Sequence, residues 1–570
     1  MQNADPAGQE VRDGGEAVVS AFQAMGADCL FSSPGSEWAP VWEALARRRR
    51  DGSDHPRYLN LAHESVAVSM AVGYALITRR PQGVLLHAGA GLLQGAFALH
   101  GALQLGVPIV AASAHSTTYG DGPGPGPGYQ WYSNPSLSCS PDGMARPFVK
   151  WAGQAASLPT VYASLTRAAE IAARAPAGPV YVTLSQEALQ EPWSGHDCPP
   201  VPARGRTVSA MADQRALIDL LAGAERPVVV AERLGLEDGG MEALVAFCEA
   251  FAVPVIESQA LCVNFPATHP LHAGSDLSSY LAASDLVLLA SCQTPFFPPA
   301  RRPTRARIVA LGEAPQRPHL IHQVLHADLY LEGGAVQTLH ALAQHGDAVP
   351  AQVRSSRQQA QAAERHARQA ADTRTESEAA AGTALSPVLV AALLRDLLAD
   401  TDSVIVDETT RYSPTLRRHL RPSSPDSYFR ARGGLGQGIP VSLGIKLAAP
   451  ERPVVLLVGD GGFFYNPVIP GLQAARANGL PLLIVVLNNH RYQAMQAAHT
   501  RLYPQGAAAA TGDFLGAELD NFPSPAGFAP LFGMHGECVT RPDELASALE
   551  RAVKALHQGT GAIVDVSMSE

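Results

Sequence analysis

Two oxygen-bearing side chains follow apolar, strand-like runs in the C-terminal part of the chain. Asp460 comes just after the run 454–458, and Asn489 comes just after the run 482–487. Because the carboxyl ends of parallel strands share one edge of a sheet, the two side chains are expected to be neighbours. A carboxylate, an amide oxygen and a nearby backbone carbonyl suit the all-oxygen shell of magnesium. The pattern predicts a magnesium site that phosphate oxygens complete.

A carboxylate and two histidines hold similar places in the N-terminal part. Glu64 opens a predicted helix after the strand-like run 58–61, and His87 and His115 each follow an apolar run. Both histidines are therefore predicted at the carboxyl edge of a second sheet, where ligands bind. Histidine exchanges protons near neutral pH, so the group predicts proton-transfer chemistry. A hydrogen-bonded structural role for the histidines, and a helix cap for Glu64, are the alternatives.

The elements that must position these residues occur twice. The stretches 83–115 and 453–490 each read as apolar strand, glycine-rich turn, helix, Gly-X-Pro restart and second apolar strand ending at a histidine. Two α/β halves of one topology explain this repetition. The region 208–345 also alternates strand-like and helical stretches, without an acidic or nucleophilic cluster. The predicted fold class is therefore α/β, with three doubly wound domains built on parallel sheets.

A chain of 570 residues also calls for several domains, because single hydrophobic cores rarely exceed about 250–300 residues. The predicted boundaries are 10–195 for the first domain, 208–345 for the middle domain and 385–570 for the last. The segment 346–384 is rich in Ala, Gln, Arg and Glu, and is predicted as a solvated helix or a loose linker.

Composition limits the partners. The formal net charge of −10 gives no electrostatic reason for nucleic acid or an anionic membrane as partner. No apolar run approaches the roughly 18 residues of a membrane span, and the N-terminus has no apolar core typical of a signal peptide. The seven cysteines are scattered and form no CxxC pair. A cytoplasmic location is expected.

The motif Gly459-Asp460-Gly461, followed about thirty residues later by Asn488-Asn489, resembles the diphosphate- and metal-binding motif of thiamine diphosphate-dependent enzymes. Over nearly the whole chain, the pattern is similar to the branch that holds benzoylformate decarboxylase and the acetolactate synthase large subunit. The resemblance implies a first domain that binds the thiamine pyrimidine, a Rossmann-like middle domain and a last domain that binds diphosphate and metal. FAD occupies the middle domain in some members, and nothing in this sequence indicates it.

The resemblance also implies residue roles. The segment AHESVAVSMAVGYA matches the one that carries the essential glutamate, here Glu64, and FSSPGSEWAP matches the one with a substrate-contacting serine, here Ser36. His87 matches the active-site histidine of the benzoylformate decarboxylase type. His115 falls near the His-His pair of pyruvate decarboxylases, although Ala114 precedes it here. The implied cofactor contacts are Glu64, Thr410, Gly434, Leu435, Asp460, Gly461, Gly462, Asn489 and Tyr492, and the implied metal ligands are Asp460, Asn489 and Arg491.

Further implications concern the reaction. The resemblance implies a lyase that uses thiamine diphosphate and Mg²⁺ to decarboxylate a small 2-oxo acid through a cofactor-bound enamine. Glu64 would hydrogen-bond the aminopyrimidine ring, and Leu435 would wedge under the cofactor. A carboligase of the acetolactate synthase type, which joins the activated aldehyde to a second carbonyl compound, is the alternative. The active site is expected between the chains of a homodimer or homotetramer, and the segments 116–135 and 496–530 are expected to select the substrate.

Overall fold

The computed structural model describes residues 12–33, 35–116, 139–195, 198–296, 302–321, 323, 325–519 and 521–568. The segment 116–135, expected to select the substrate, lies outside them apart from residue 116. The described chain forms two compact units. The first unit contains the described residues up to Arg204 together with Arg432–Pro450 and Asn466–Leu480, and the second contains Gly205–Ala431, Glu451–Tyr465 and the described residues from Pro481 onward.

The first unit contains a six-stranded sheet in which every pairing is parallel, with strand order β2-β1-β3-β4-β6-β5. Its strands are β1 Cys29–Ser32, β2 Arg57–Asn60, β3 Gln82–Leu86, β4 Ile109–His115, β5 Trp151–Ala155 and β6 Val180–Ser185. Its helices from this part of the chain are α1 Gly14–Ala24, α2 Ala39–Arg50, α3 Glu64–Thr78, α4 Ala90–Leu105, α5 Pro141–Ala145 and α6 Leu158–Ala173. Strands β3, β4 and β6 are buried along their whole length, as helix-covered parallel strands must be.

The second unit contains two parallel sheets. The middle sheet has the order β11-β10-β9-β7-β8, with β7 Pro227–Ala231, β8 Val255–Ile256, β9 Leu286–Ala290, β10 Arg307–Gly312 and β11 Leu329–Glu332. The last sheet has the order β13-β12-β14-β15-β17-β16, with β12 Val404–Glu408, β13 Tyr428–Arg430, β14 Val454–Gly459, β15 Leu483–Asn488, β16 His535–Val539 and β17 Ala562–Ser567. Its strand order repeats that of the first sheet. The three parallel sheets confirm the predicted fold class, and the repeated order explains the repetition in the sequence.

The remaining helices are α7 Met211–Gly223, α8 Gly240–Phe251, α9 Leu277–Leu281, α10 Ala335–Ala343, α11 Ala351–Ala381, α12 Pro387–Leu397, α13 Ser413–Leu420, α14 Gly438–Ala448, α15 Asp460–Tyr465, α16 Val468–Asn478, α17 Gln493–Leu502, α18 Ala507–Thr511 and α19 Pro542–His557. No helix among the described residues is both long and apolar enough to cross a bilayer.

The segment predicted as a solvated helix or loose linker is the 31-residue helix α11. It is anchored by the buried Arg357, whose guanidinium donates hydrogen bonds to the carbonyl oxygens of Leu221, Ala224 and Phe251 at 2.5–2.8 Å. Because these bonds tie α11 to the helices beside the middle sheet, the segment is a structural part of the second unit.

Helices α3 and α14 of the first unit pack backbone against backbone. A Cβ atom on Gly73 would lie 2.0 Å from the carbonyl oxygen of Val441, and one on Gly444 would lie 1.9 Å from that of Met70. Only glycine permits this approach. As a result, α14 belongs to the first unit, although its residues lie within the predicted last domain, 385–570.

Candidate active site

Four predicted catalytic residues follow the carboxyl ends of four strands of the first sheet. Ser36 opens a short 3₁₀ helix after β1, Glu64 begins α3 after β2, His87 follows β3, and His115 ends β4. The first turn of α4 shows how close three of them come: a Cβ on Gly91 would lie 3.0 Å from the Cβ of His87 and 3.2 Å from Glu64 Oε1. The backbone N–H of Gly89 lies 3.5 Å from His115 Nε2.

A residue that the sequence analysis missed fixes His87. Glu37 is 4% exposed, and its carboxylate oxygens lie 2.9 and 3.1 Å from His87 Nδ1. The same carboxylate accepts the backbone N–H of Ala88 at 2.8 Å. The next residue, Trp38, donates its indole N–H to the Leu86 carbonyl at 2.9 Å, which fastens this turn to the end of β3. The carboxylate therefore holds the hydrogen on Nδ1 of His87 and makes Nε2 the atom at which a proton would move.

His115 is held differently, with Nε2 as a hydrogen-bond acceptor. Its Nε2 lies 2.6 Å from Ser113 Oγ, which is itself hydrogen-bonded to Tyr181. Burial lowers the pKa of His115 to about 4, and the nearby Glu37 only partly opposes this effect. His115 is therefore a neutral imidazole at pH 6 to 8. Of the two histidines, His87 is the better placed to donate a proton.

Glu64 is half-buried at the first position of α3. The capping of this helix belongs to the preceding residue, because His63 Nδ1 accepts the backbone N–H of Ser65 at 3.1 Å. Within the described chain, Glu64 makes no hydrogen bond that would explain it as a structural residue. The capping alternative for Glu64 therefore loses its main support, although a carboxylate at this position also favours the helix dipole.

The segment that carries Leu435, the residue predicted to wedge under the cofactor, lies against helix α4. Gly434 has a φ of +134°, which favours glycine, and a Cβ there would lie 2.4 Å from the ring of Phe97. One residue earlier, Gly433 packs against the backbone of Gly101. These two contacts fix the backbone on which the half-buried Leu435 is carried.

In the second unit, two of the three predicted metal ligands, Asp460 and Asn489, both accept the backbone N–H of the third, Arg491. The N–H of Arg491 lies 3.1 Å from Asp460 Oδ2 and 3.2 Å from Asn489 Oδ1, so the two oxygens are neighbours. The Asn489 amide nitrogen donates to Tyr412 Oη at 3.2 Å and Gln493 Oε1 at 3.0 Å, which turns its oxygen toward Asp460. Strands β14 and β15 pair in parallel, as the positions of these residues predict.

The local backbone differs from the prediction of a glycine-rich turn at residues 459–462. Strand β14 ends at Gly459 and helix α15 begins directly at Asp460. Gly461 is required because the ring of Tyr492 packs against it, and a Cβ would lie 2.4 Å from Tyr492 Cε1. Two predicted cofactor contacts are thus in direct contact. Gly462 is buried in the same helix.

This donor set fits magnesium. Burial raises the pKa of Asp460, although hydrogen bonds from the backbone of Gly461 and Arg491 oppose the effect. A divalent cation would favour the ionised carboxylate at this site. Among the described residues, no group of three or more His, Cys, Asp and Glu could hold a metal. An ion at Asp460 and Asn489 therefore needs further oxygens from backbone, phosphate or water, the ligands that Mg²⁺ prefers.

The turn after β12 carries the exposed Thr410 and is fixed by the buried Asp407. The Asp407 carboxylate accepts the backbone N–H of Thr409 at 2.8 Å and its hydroxyl at 2.6 Å. Its other oxygen accepts Tyr428 Oη–H at 2.5 Å. Asp407 and Tyr428 are positioning residues that the sequence analysis did not identify.

The predicted site residues thus form two groups, each described within its own unit. The first unit holds Ser36, Glu64, His87, His115, Gly434 and Leu435, and the second holds Thr410, Asp460, Gly461, Gly462, Asn489, Arg491 and Tyr492. The first group offers proton-transfer chemistry, and the second offers oxygen ligands for a cation.

Sequence profiles of thiamine pyrophosphate enzymes match three parts of the chain. The N-terminal TPP binding domain matches residues 12–134, the central domain matches 214–342 and the C-terminal TPP binding domain matches 408–566. Together the three profiles cover most of the chain in the order expected for one such enzyme.

Similar proteins include a probable 2-ketoarginine decarboxylase of Pseudomonas aeruginosa, 28% identical over 96% of this chain and 92% of that protein. The benzoylformate decarboxylase of the same organism is 28% identical over 83% of this chain and 85% of its own length. The large subunit of acetolactate synthase isozyme 3 of Escherichia coli is 25% identical over 98% and 95%. The solved structure of a thiamine diphosphate-dependent 4-hydroxybenzoylformate decarboxylase of Rhodococcus jostii has a TM-score of 0.78 at 22% identity, covering 98% of this chain and 99% of that one, and it supports the fold.

Proposed function

The chain belongs to the thiamine pyrophosphate-dependent enzymes, and we propose from this premise that it decarboxylates a small 2-oxo acid. Bound thiamine diphosphate supplies the carbon nucleophile and the electron sink that decarboxylation needs. The protein must hold the cofactor and direct the protons. Asp460 and Asn489 would hold Mg²⁺ at the diphosphate, with the backbone carbonyl oxygen of Arg491 as a further metal ligand. Tyr492, Gly461, Gly462 and Thr410 would contact the cofactor.

The other proposed roles belong to residues of the first unit. Glu64 would exchange a hydrogen with the aminopyrimidine ring, and Leu435, next to Gly434, would pack against the cofactor. Ser36 is exposed after β1, where its hydroxyl would orient the substrate carboxylate. His115, as a neutral acceptor, would take part in hydrogen bonding rather than donate a proton.

The observation that carries the proposal is the pair formed by Glu37 and His87. A decarboxylase must deliver a proton to the carbon from which carbon dioxide has departed, whereas a carboligase must withhold it until a second carbonyl compound arrives. A histidine oriented by a buried carboxylate at 2.9 Å is a proton donor built into the site. Met495, half-exposed on α17, carries a thioether, which cannot donate a proton, so it supplies no second donor.

The test is turnover of the holoenzyme with benzoylformate, 2-ketoarginine and pyruvate, with and without an acceptor aldehyde. We expect at least one 2-oxo acid to yield carbon dioxide and the free aldehyde in equal amounts. A product with a new carbon–carbon bond as the main outcome would assign the carboligase activity instead. No carbon dioxide from any of these acids would count against the proposal for this substrate group.

We also propose a cytoplasmic homodimer or homotetramer. The scattered cysteines support the location. Leu93 and Phe97, one turn apart on α4, are 54% and 45% exposed in the single chain, which supports a further protein surface against this helix. In such an assembly, the first group of one chain would face the second group of its partner. Light scattering of the holoenzyme measures the assembly.

We predict that Glu37→Gln slows aldehyde release by about a hundredfold, the scale of general acid–base catalysis, and slows carbon dioxide release in the first turnover much less. The reason is that an amide cannot stabilise the protonated form of His87 as a carboxylate does. The acid form of His87 should then be lost at lower pH, so the alkaline limb of the rate profile should shift to lower pH. Rapid-quench measurement of both products and the pH profile provide the test.

Glu43→Gln is the matched control, because Glu43 is an exposed carboxylate on the neighbouring helix α2. It should change neither product rate nor the pH profile. Equal slowing of both products in Glu37→Gln, with an unshifted profile, would show that Glu37 has only a structural role.

A further inference from the structure

A cavity of about 590 Å³ in the second unit lies outside the predicted active-site residues. It is bordered by the segment 267–276, by residues 364–372 of α11 and by the end of α13 with the residues after it. Its walls are strongly basic, with the arginines Arg226, Arg365, Arg368, Arg417, Arg418 and Arg421.

Four carboxylates line the cavity with these six arginines, and a fifth, Glu376, pairs with Arg421 from outside the lining, which leaves an excess of one positive charge in a chain whose net charge is −10. The four carboxylates are Glu257, Asp276, Glu364 and Asp372. In an acidic chain, a cavity with a positive excess attracts anions.

Ion pairs account for most of the arginines. Arg417 pairs with Glu257 at 2.8 Å, and Arg226 pairs with Glu364 at 3.0 Å. Burial alone would raise the pKa of Glu257, but Arg417 and His272 lower it to about 2, so this carboxylate is ionised and neutralises Arg417. The other two pairs are Arg418 with Asp372 at 2.5 Å and Arg421 with Glu376 at 2.7 Å.

Arg365 and Arg368 are different. Each is half-buried, and within the described part of the chain neither forms an ion pair with a carboxylate. Arg365 donates to the carbonyl oxygen of Thr268 at 2.8 Å and Arg368 donates to that of His272 at 2.5 Å. A carbonyl oxygen orients a guanidinium without neutralising it. The two side chains are three residues apart on α11 and hence lie on the same helical face.

We infer that this cavity binds a small dianion, a phosphate monoester or a dicarboxylate, through Arg365 and Arg368. Two guanidiniums on adjacent turns present planar donor pairs that match the oxygens of either group. The two guanidiniums without an ion pair match the two charges of the ligand, and the volume admits a metabolite of several carbon atoms. A bound dianion would join α11 to the segment 267–276 and thereby stabilise the second unit.

The experiment is calorimetric titration of the full-length holoenzyme, saturated with thiamine diphosphate and Mg²⁺ so that the cofactor site does not compete. The probes are inorganic phosphate and succinate, each at one fixed ionic strength, because salt screens such contacts. We expect saturable binding of one of the two, and the stronger probe identifies the ligand class. Replacing both arginines, Arg365→Gln with Arg368→Gln, should weaken that binding by about tenfold or more, the loss expected for charge-assisted hydrogen bonds.

Arg374→Gln is the control, an exposed arginine on the same helix that does not line the cavity. It should bind the probe like the wild type. Binding that is undiminished in the double variant, or no binding of either probe to the wild type, would overturn the inference. If the double variant unfolds at a lower temperature than the wild type, the single variant Arg365→Gln gives the same comparison with less disturbance. Substrate turnover does not enter the measurement, so the outcome is independent of the proposed reaction.

Discussion

Asp460→Ala should abolish the binding of thiamine diphosphate while the protein remains folded. Asp460 supplies the one carboxylate among the proposed protein ligands of magnesium, and its Oδ2 and Asn489 Oδ1 share the N–H of Arg491. Loss of groups that merely orient metal ligands typically costs 10–100-fold in metal affinity, so loss of a ligand should cost more than about a hundredfold. The fold should survive because burial disfavours the ionised Asp460, and the removal of this buried charge offsets the lost backbone hydrogen bonds.

The measurement is calorimetric titration of the purified protein with thiamine diphosphate in the presence of Mg²⁺. Asp513→Ala, which removes an exposed carboxylate, is the control and should bind as the wild type does. Because Asp460 must lose its proton to bind Mg²⁺ and its pKa is raised, magnesium affinity should weaken on acidification at a higher pH than an ordinary aspartate would predict. Undiminished cofactor affinity in Asp460→Ala would remove Asp460 from the site.

The strands that carry the second group could be predicted because apolar runs of the right length are a local signal. The runs 454–458 and 482–487 correspond to β14 and β15, which pair side by side. The turn predicted at residues 459–462 is wrong, and the chain enters α15 at once. Glycine disfavours helices, but here the close packing of Tyr492 on Gly461 and the burial of Phe463 override the local preference.

Glu37 was beyond prediction for a different reason. Its partner His87 lies 50 residues away, and no spacing rule links an acidic residue after one strand to a histidine after another. The only local sign is a glutamate directly before a tryptophan in a segment that proves to be buried. Asp407 illustrates the same limit, because its partner Tyr428 is on a neighbouring strand. Pairs of this kind join residues that follow different strands, so they can be identified only once the arrangement of the strands in the sheet is known.

The placement of α14 also depends on assembly. Its sequence between β13 and β14 indicates a helix of the last domain, yet it packs on α3 through Gly73 and Gly444. A glycine in an apolar helix indicates that the backbone of another element packs closely against it, but it does not identify that element. The boundaries at 195, 208, 345 and 385 therefore stay predictions, although the three sheets they were meant to separate are present.

Glu64→Gln should leave cofactor affinity near that of the wild type and reduce activation of the cofactor by about a hundredfold or more, the scale expected for a general acid–base group. An amide occupies the same space but cannot share a proton with the aminopyrimidine ring. The first turn of α3 should remain intact, since its cap is His63 rather than Glu64. Only the helix-dipole contribution of about 0.3–1 kcal/mol should be lost from stability.

Three readouts separate this role from a structural one. Calorimetry measures cofactor affinity, thermal unfolding measures stability, and hydrogen–deuterium exchange at C2 of the bound thiamine diphosphate measures activation without any substrate. Glu43→Gln, the exposed carboxylate on α2, should match the wild type in all three. Exchange at the wild-type rate in Glu64→Gln, together with lowered stability, would identify Glu64 as a residue that only favours the start of α3, and the proton exchange would then have to be assigned to another group in the first unit.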